Sequence, residues 1–243
     1  MNIAIVTARG GSSRLAGKHT MRVGPKQYRL IEYPLRAALD AGRVDAVYLA
    51  TDSAELGDIA QGLGARLLRL PPGLCGDGGT QAASLCWAVG KLDVDSQSPI
   101  KNIVTLLGNT VMIEPEDIDL ALDTLDMRPE ATSVMSVWQA EDDHPMRAME
   151  LSYDGFLAPY NPASTSDVSN VQTYSPAYYH DQGLWAFRKE CAYEQSGPPP
   201  WTWCGKRCLA LTRPWFVGRD VDVKADLEIA EWYLQRKETG NGR

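Results

Sequence analysis

An excess of basic charge is missing from this sequence: 24 Lys and Arg residues face 31 Asp and Glu, for a formal net charge of -7. A broad nucleic-acid-binding surface needs a net basic face, so that partner class is argued against, although one small basic pocket for a phosphorylated ligand is still allowed. Long apolar runs are missing too. No stretch approaches the roughly 18 apolar residues of a spanning helix, and no membrane partner is expected. The opening residues MNIAIVTARGG hold no basic segment followed by a long apolar one, so no signal peptide is read there and a cytoplasmic location is expected. Paired cysteines are also lacking. Cys75, Cys86, Cys191, Cys204 and Cys208 are odd in number and widely spread, and Cys204 and Cys208 are separated by three residues, not two, with no histidine pair beside them. That argues for thiols in a reducing compartment rather than a zinc site.

What is present suits one α/β domain with a small insertion: 243 residues, 44% hydrophobic and 23% charged. Asn2–Thr7 (NIAIVT) is a short apolar run ending in a Gly-rich loop, as a central parallel strand would be. A helix is expected over Leu30–Ala41, where apolar residues recur at helical spacing, and a second strand over Ala46–Ala50. Thr51-Asp52-Ser53 opens a helix through Gly62, with Asp52 or Ser53 as N-cap. Arg66–Leu70 reads as a third strand, Gly76–Thr80 as a loop and Gln81–Val89 as a helix. Asn102–Leu107 is the fourth strand, and Glu116–Leu125 a helix that Pro115 starts.

Repeated strand–helix units imply a Rossmann-like three-layer α/β sandwich with a mostly parallel sheet. Ligands in such sheets sit beyond the C-terminal ends of the strands. The loops Ala8–Lys18, Thr51-Asp52, Asp77–Thr80 and Gly108–Met112 are therefore expected to face one crevice. The pattern changes after Ser136. Glu150–Leu157 reads as a hairpin around Asp154-Gly155, and Pro159–Tyr179 is rich in Pro, Asn, Ser and Tyr. Strand signals return at Gly183–Phe187, Leu209–Thr212 and Trp215–Val217, before a closing amphipathic helix over Val223–Gln235. Residues 1–139 and 181–236 are expected to form the core, 140–180 an inserted arm for dimerisation or lid formation, and 237–243 a frayed tail.

The loop after the first strand carries the chemistry. Gly10, Gly11 and Gly17 let the backbone bend close to a ligand, while Arg9, Arg14 and Lys18 place three cations in one short segment. Such cations bind phosphate strongly and stabilise charge growing on a leaving pyrophosphate. Two other Gly-loop patterns fail on spacing. A P-loop needs four residues before its Gly-Lys pair and a Ser or Thr after it, whereas Gly11 to Gly17 leaves five and His19 follows Lys18. The dinucleotide fingerprint G-x-G-x-x-G is absent as well. The competing reading is a Gly-rich turn with solvated basic residues.

At these residues the chain resembles a known family. IAIVTARGGSSRLAGKHT is similar to the signature loop of the CMP-sugar synthetases, the acylneuraminate and 3-deoxy-sugar-acid cytidylyltransferases, where an apolar strand precedes A-R-x-x-S-K-x-x-x-x-K-N. Ala8, Arg9, Ser12 and Lys18 fall on that pattern; Ser13 stands in place of its first Lys and His19 in place of its Asn. Arg14 is one position from the missing cation. LATDSAEL is similar to the second strand and its turn, and Arg69 and Asp77 match the arginine and aspartate around the third strand. The resemblance implies CTP as the nucleotide, a homodimer, and a nucleotide site built from Ala8, Arg9, Gly10, Gly11, Ser12, Arg14, Lys18, His19, Arg69, Asp77 and Thr80, with Gly108 and Asn109 from the fourth loop.

Near the C-terminus, Asp220 and Asp222 are two residues apart, so in an extended segment their carboxylates share one face. Two carboxylates so placed suit Mg²⁺, or Mn²⁺, that keeps waters and phosphate oxygens as further ligands. DVDVKADLEIAE resembles the family's D-x-D before an acidic helix, which gives the metal role to Asp222 first and Asp220 second. The competing reading is helix N-capping by Asp222. Arg9, Lys18 and Asp222 are the expected catalytic residues. His19, His144 and His180 are the only histidines, and none is an obvious general base. His144-Pro145 resembles the family's His-Pro at the start of the arm.

The acceptor half departs from the family. Leu107–Ile113 lacks the Gln and Arg of its Q-P-T-S-P-L-R-like run, although Asn109 and Thr110 carry groups that hydrogen-bond a base or ribose. Val171-Gln172 and Tyr179-His180-Asp181-Gln182-Gly183 stand where the family shows R-Q and Y-R-x-N-G, without the arginines that would engage a sugar acid's carboxylate. Tyr179, His180 and Gln182 are nevertheless expected at the acceptor. The expected reaction is attack of a small anionic acceptor, a sugar acid of the nonulosonate or 3-deoxy type, on the α-phosphate of CTP. A small phosphonate acceptor, a glycosyltransferase using D-x-D, and a catalytically degenerate nucleotide-binding subunit are the alternatives.

Overall fold

The opening apolar run forms β1 (Asn2–Thr7), whose four middle residues are buried. In this computed structural model residues 1–11, 15–75, 79–95, 98–160 and 174–240 are described. After a short antiparallel pair, β2 (Arg22–Val23) with β3 (Tyr28–Arg29), the chain runs through α1 (Glu32–Asp40), β4 (Ala46–Thr51), α2 (Ala54–Leu63), β5 (Arg66–Arg69), α3 (Gln81–Asp95), β6 (Asn102–Leu107), α4 (Pro115–Met127) and β7 (Ser133–Gln139). The hairpin β8 (Met149–Leu151) and β9 (Leu157–Pro159) follows, then β10 (Tyr178–Arg188), α5 (Lys189–Glu194), β11 (Cys208–Thr212) and α6 (Lys224–Glu238).

Seven strands make one sheet in the order β11-β7-β10-β6-β1-β4-β5. All neighbours are parallel except β10, which runs antiparallel to β6 and β7. Period-two alternation divides β1 between the two faces. Ala4 and Val6 pack with Leu35 of α1, Leu56 of α2 and Leu122 of α4, while Ile3 and Ile5 pack with Leu85 and Val89 of α3. The expected three-layer α/β sandwich with a mostly parallel sheet is thus the observed fold. A third cluster, with Val23, Leu30, Met112, Val221 and Tyr233, seats α6 beside the β2–β3 pair.

Some elements differ from the sequence expectation. Leu30 and Ile31 precede α1, because their amides bond back to Met21 O (2.8 Å) and His19 O (3.1 Å). α3 continues to Asp95, beyond Val89. Trp215–Val217 form a turn, closed by Val217 N–H to Pro214 O at 3.1 Å; Pro214 lacks the amide that a strand would use. Tyr178–His180, which composition placed in the arm, lie in β10 and pair with Val137–Gln139 of β7. The signals at Gly183–Phe187 belong to this same eleven-residue strand, interrupted by an irregularity between His180 and Trp185. The last helix runs to Glu238, into the segment expected as a tail. Ser53 is the N-cap of α2, its Oγ accepting from Leu56 N–H at 3.3 Å. No helix among the described residues is long and apolar enough to cross a membrane.

Candidate active site

Parallel β1, β4 and β6 end together, so the loops that follow them open at one edge of the sheet. Ala8 N–H bonds Ala50 O at 3.1 Å, and Gly10 N–H bonds Asp52 Oδ1 at 2.7 Å; the Thr51-Asp52 turn thereby fixes the start of the first loop. Gly108 lies where a Cβ would come within 2.7 Å of Ala8 Cβ and 2.6 Å of Ile31 Cδ1. Only glycine lets the fourth loop lie this close to the first. A cleft of about 570 Å³ opens here, and Ala8, Arg9, Gly11, Lys18, His19, Thr80, Asn109 and Asp222 all contribute to its wall. Ser12, Arg14 and Asp77 lie outside the described residues. Arg69 is exposed at the end of β5, on the opposite strand face from Leu68 and Leu70, and does not line the cleft.

The C-terminal carboxylates reach the same place. Lys18, only 8% exposed, donates from Nζ to Asp222 Oδ1 at 2.6 Å and to Val221 O at 3.0 Å. Asn109 Nδ2 donates to Asp220 Oδ2 (3.1 Å) and Val221 O (3.0 Å) and lies 3.4 Å from Asp222 Oδ1. With only acceptors on that side, the amide nitrogen rather than its oxygen must face them. Val221 N–H returns a bond to Asn109 O at 2.9 Å, and Thr110 and Asp220 form an isolated antiparallel bridge. Helix α6 is capped otherwise: Asp226 Oδ2 accepts from the amides of Asp222 (3.0 Å) and Val223 (2.9 Å), the reciprocal half of a capping box. The Asp222 carboxylate is thereby turned to Lys18.

Burial sets the electrostatics. Desolvation, and then the neighbouring Asp222 charge, raise Asp220 above the ordinary carboxylate value. Desolvation, followed by the Lys18 charge, pushes the His19 imidazole down to about 4. His19 is therefore neutral at physiological pH and presents a polar, uncharged ring to the cleft.

Sequence reading missed part of this wall. Gln81 and Ser84 come from the first turns of α3, and Gln81 Nε2 is buried with no hydrogen-bond partner among the described residues. Its signal was positional: it opens the helix after a Gly-rich loop at a strand's C-terminal end. Cys75 also lines the cleft, its thiol donating to Pro71 O at 3.2 Å.

The expected acceptor residues are spread over β10. Tyr179 stacks on Trp138 with ring centroids 4.7 Å apart, and its hydroxyl donates to Asp143 O at 3.0 Å. His180 packs against Trp201 in a tilted contact, ring centroids 4.3 Å apart; burial lowers its pKa, against the raising charges of Asp181 and Asp220. Gln182 adopts φ of 60°, and its carbonyl accepts from Thr110 Oγ1 at 3.4 Å. His180 and Gln182 thus adjoin the Asp220 segment, while Tyr179 packs at the base of the arm. His144 braces the arm: Nδ1 accepts from Met146 N–H at 3.2 Å, and Nε2 lies 3.0 Å from Ser175 O.

The cleft thus joins a mostly parallel α/β sheet, a first glycine-rich loop with a buried lysine, and a paired-aspartate segment. A family model described as cytidylyltransferase matches residues 3–192. The chain belongs to the cytidylyltransferase family, which consists of nucleotidyltransferase enzymes. The chain is 24% identical over 197 residues to a pseudaminic acid cytidylyltransferase and UDP-2,4-diacetamido-2,4,6-trideoxy-beta-L-altropyranose hydrolase of Helicobacter pylori, covering 81% of this chain and 36% of that protein. It therefore spans little more than a third of that relative's length. It is 26% identical over 227 residues to a 3-deoxy-manno-octulosonate cytidylyltransferase of Chlamydia trachomatis, covering 91% of this chain and 84% of that one. In fold it is similar to a CMP:2-keto-3-deoxy-manno-octonic acid synthetase solved with CTP: TM-score 0.67, 18% identity, 95% of this chain and 97% of that chain.

Proposed function

We propose that this chain transfers CMP from CTP to an anionic acceptor of the sugar-acid type and releases pyrophosphate. The observation that carries the reading is the meeting of Lys18 with Asp222 inside the cleft where β1 and β6 end. Both relatives' names specify a cytidylyltransferase of a sugar acid, which supports CTP and that acceptor class.

In the proposed reaction an acceptor oxygen attacks the α-phosphorus in line, the new O–P bond forms as the bond to the β-phosphate oxygen breaks, and pyrophosphate leaves. Arg9 and Lys18 stabilise charge growing on the leaving group, and the loop amides orient the triphosphate. His19 and Gln81 hydrogen-bond the nucleotide without adding charge. The proton of an acceptor hydroxyl passes to solvent.

Asp220 and Asp222 fit a divalent cation. Their hard oxygens converge on one side chain, Asn109, and the ion would share the Asp222 carboxylate with Lys18. No group of three His, Cys, Asp or Glu suited to a metal occurs among the described residues, so phosphate oxygens and water would complete the shell of Mg²⁺ or Mn²⁺. When bound, the ion supplies positive charge to the phosphates.

A homodimer is part of the proposal. Leu151, Phe156 and Leu157 on the β8–β9 hairpin are 70%, 71% and 64% exposed, and an isolated two-stranded hairpin needs packing to persist in water. The test of function is pyrophosphate release from CTP and Mg²⁺ with a panel of sugar acids. Release that requires a sugar acid is the expected result; CTP binding with no release for any anionic acceptor would overturn it.

A further inference from the structure

A buried ion pair lies directly behind the carboxylate segment. Asp181 and Arg213 are 2% and 7% exposed, and Arg213 Nη1 donates to Asp181 Oδ2 at 3.2 Å. Arg213 Nη2 donates to Met112 O in the fourth loop and lies 3.3 Å from Asp117 Oδ2 at the start of α4. The other oxygen of Asp181 accepts from Gly183 N–H at 2.7 Å and from the Ser136 hydroxyl. Gly218, two residues before Asp220, lies against this carboxylate so closely that a Cβ there would fall 2.1 Å from Asp181 Cβ.

We infer that Asp181, clamped by Arg213 and Ser136, is a positioning residue that sets where Asp220 and Asp222 stand. The cluster touches each part that frames those carboxylates: the β10 irregularity through Gly183, the fourth loop through Met112, and the Asp220 segment through Gly218. The fourth loop then holds Asp220 and Asp222 through Asn109. A charge pair in this setting gains little net stability, but its fixed directions register three loops that no common strand joins. Gln182, with its positive φ, marks the place where β10 leaves regular pairing so that Asp181 can turn inward.

Hydrogen exchange on the full chain, compared between wild type and Asp181→Asn, tests this directly. Asparagine keeps the shape and removes the charge. Amides of 218–222 and 109–112 are expected to lose protection about tenfold, with β1 and β6 unchanged, as in a local opening. The kinetic arm, which rests on the proposed CMP transfer, expects kcat to fall about tenfold at an unaltered KM for CTP, as misplacement of a reacting group predicts. The exchange arm is independent of that transfer, so its failure and that of the functional reading are separable. Should Asp181→Asn not fold, Ser136→Ala weakens the same clamp, and a smaller loss of protection confined to the same segments is expected. Unchanged exchange at 218–222 in the folded variant, or protection lost equally across the sheet, would overturn the inference.

Discussion

Lys18 and Asp222 are separated by 204 positions and meet at 2.6 Å, with both side chains largely withdrawn from water. The pair closes the cleft between the first loop and the segment before α6. It also places a cation beside two carboxylates, where burial first and the Asp222 charge second raise the pKa of Asp220 and the Lys18 charge opposes them.

Lys18→Met keeps most of the aliphatic stem and removes the charge. Loss of one preorganised charge stabiliser costs about 100-fold in rate or more, and kcat/KM for CTP is expected to fall by that amount. Steady-state pyrophosphate release measures it. Activity within twofold of wild type would remove Lys18 from the site.

Asn109 Nδ2 faces both aspartates, donating to Asp220 at 3.1 Å and lying 3.4 Å from Asp222. Asn109→Asp would place a third negative group there, whereas Asn109→Ala removes only the donor. Activity is expected to fall about 10-fold in the alanine variant, and by about 100-fold in the aspartate variant, because an unpaired buried charge costs more than a lost hydrogen bond. Equal losses would contradict the electrostatic account.

His19 links the site to pH. Burial and Lys18 hold its folded-state pKa at about 4 against an ordinary 6.5. The unfolded chain therefore binds this proton more readily, so stability falls as pH drops below 6.5 and the loss levels off below about 4. The full effect is roughly 3 kcal/mol. Urea unfolding at pH 7 and pH 4.5 is expected to show a drop that His19→Asn lacks; an identical drop in the variant assigns the acid sensitivity elsewhere.

The hairpin makes a separate prediction. Leu151→Asp with Leu157→Asp is expected to shift the protein from dimer to monomer in light scattering, with an unchanged circular dichroism spectrum because neither side chain packs in the core. A wild-type protein that is already monomeric would refute the dimer.

Much of the fold was legible because it rests on local patterns. NIAIVT and NIVTLL are mostly apolar, with no alternation of polar and apolar residues, and both are strands paired in parallel and buried on two faces. Pro115 starts α4 and Ser53 caps α2 as their chemistry requires. Less legible was whatever depended on pairing across the chain. The tyrosines at 178–179 resemble loop composition, yet β7 provides their backbone partners. Arg69 matched a family position, but its side chain is exposed at the end of β5 and is not part of the cleft wall.

For the site, the residues alone determined that a glycine-rich cationic loop follows the first strand and that two aspartates precede the last helix. Periodicity and side-chain chemistry suffice for that, since both are local. Only the tertiary structure decided that Lys18 meets Asp222 rather than solvent, that Asp226 takes the capping role, and that Asp181 and Arg213 pair behind them. Those contacts join residues whose separation carries no sequence signal, and the sheet order that brings them together arises from burying both faces at once.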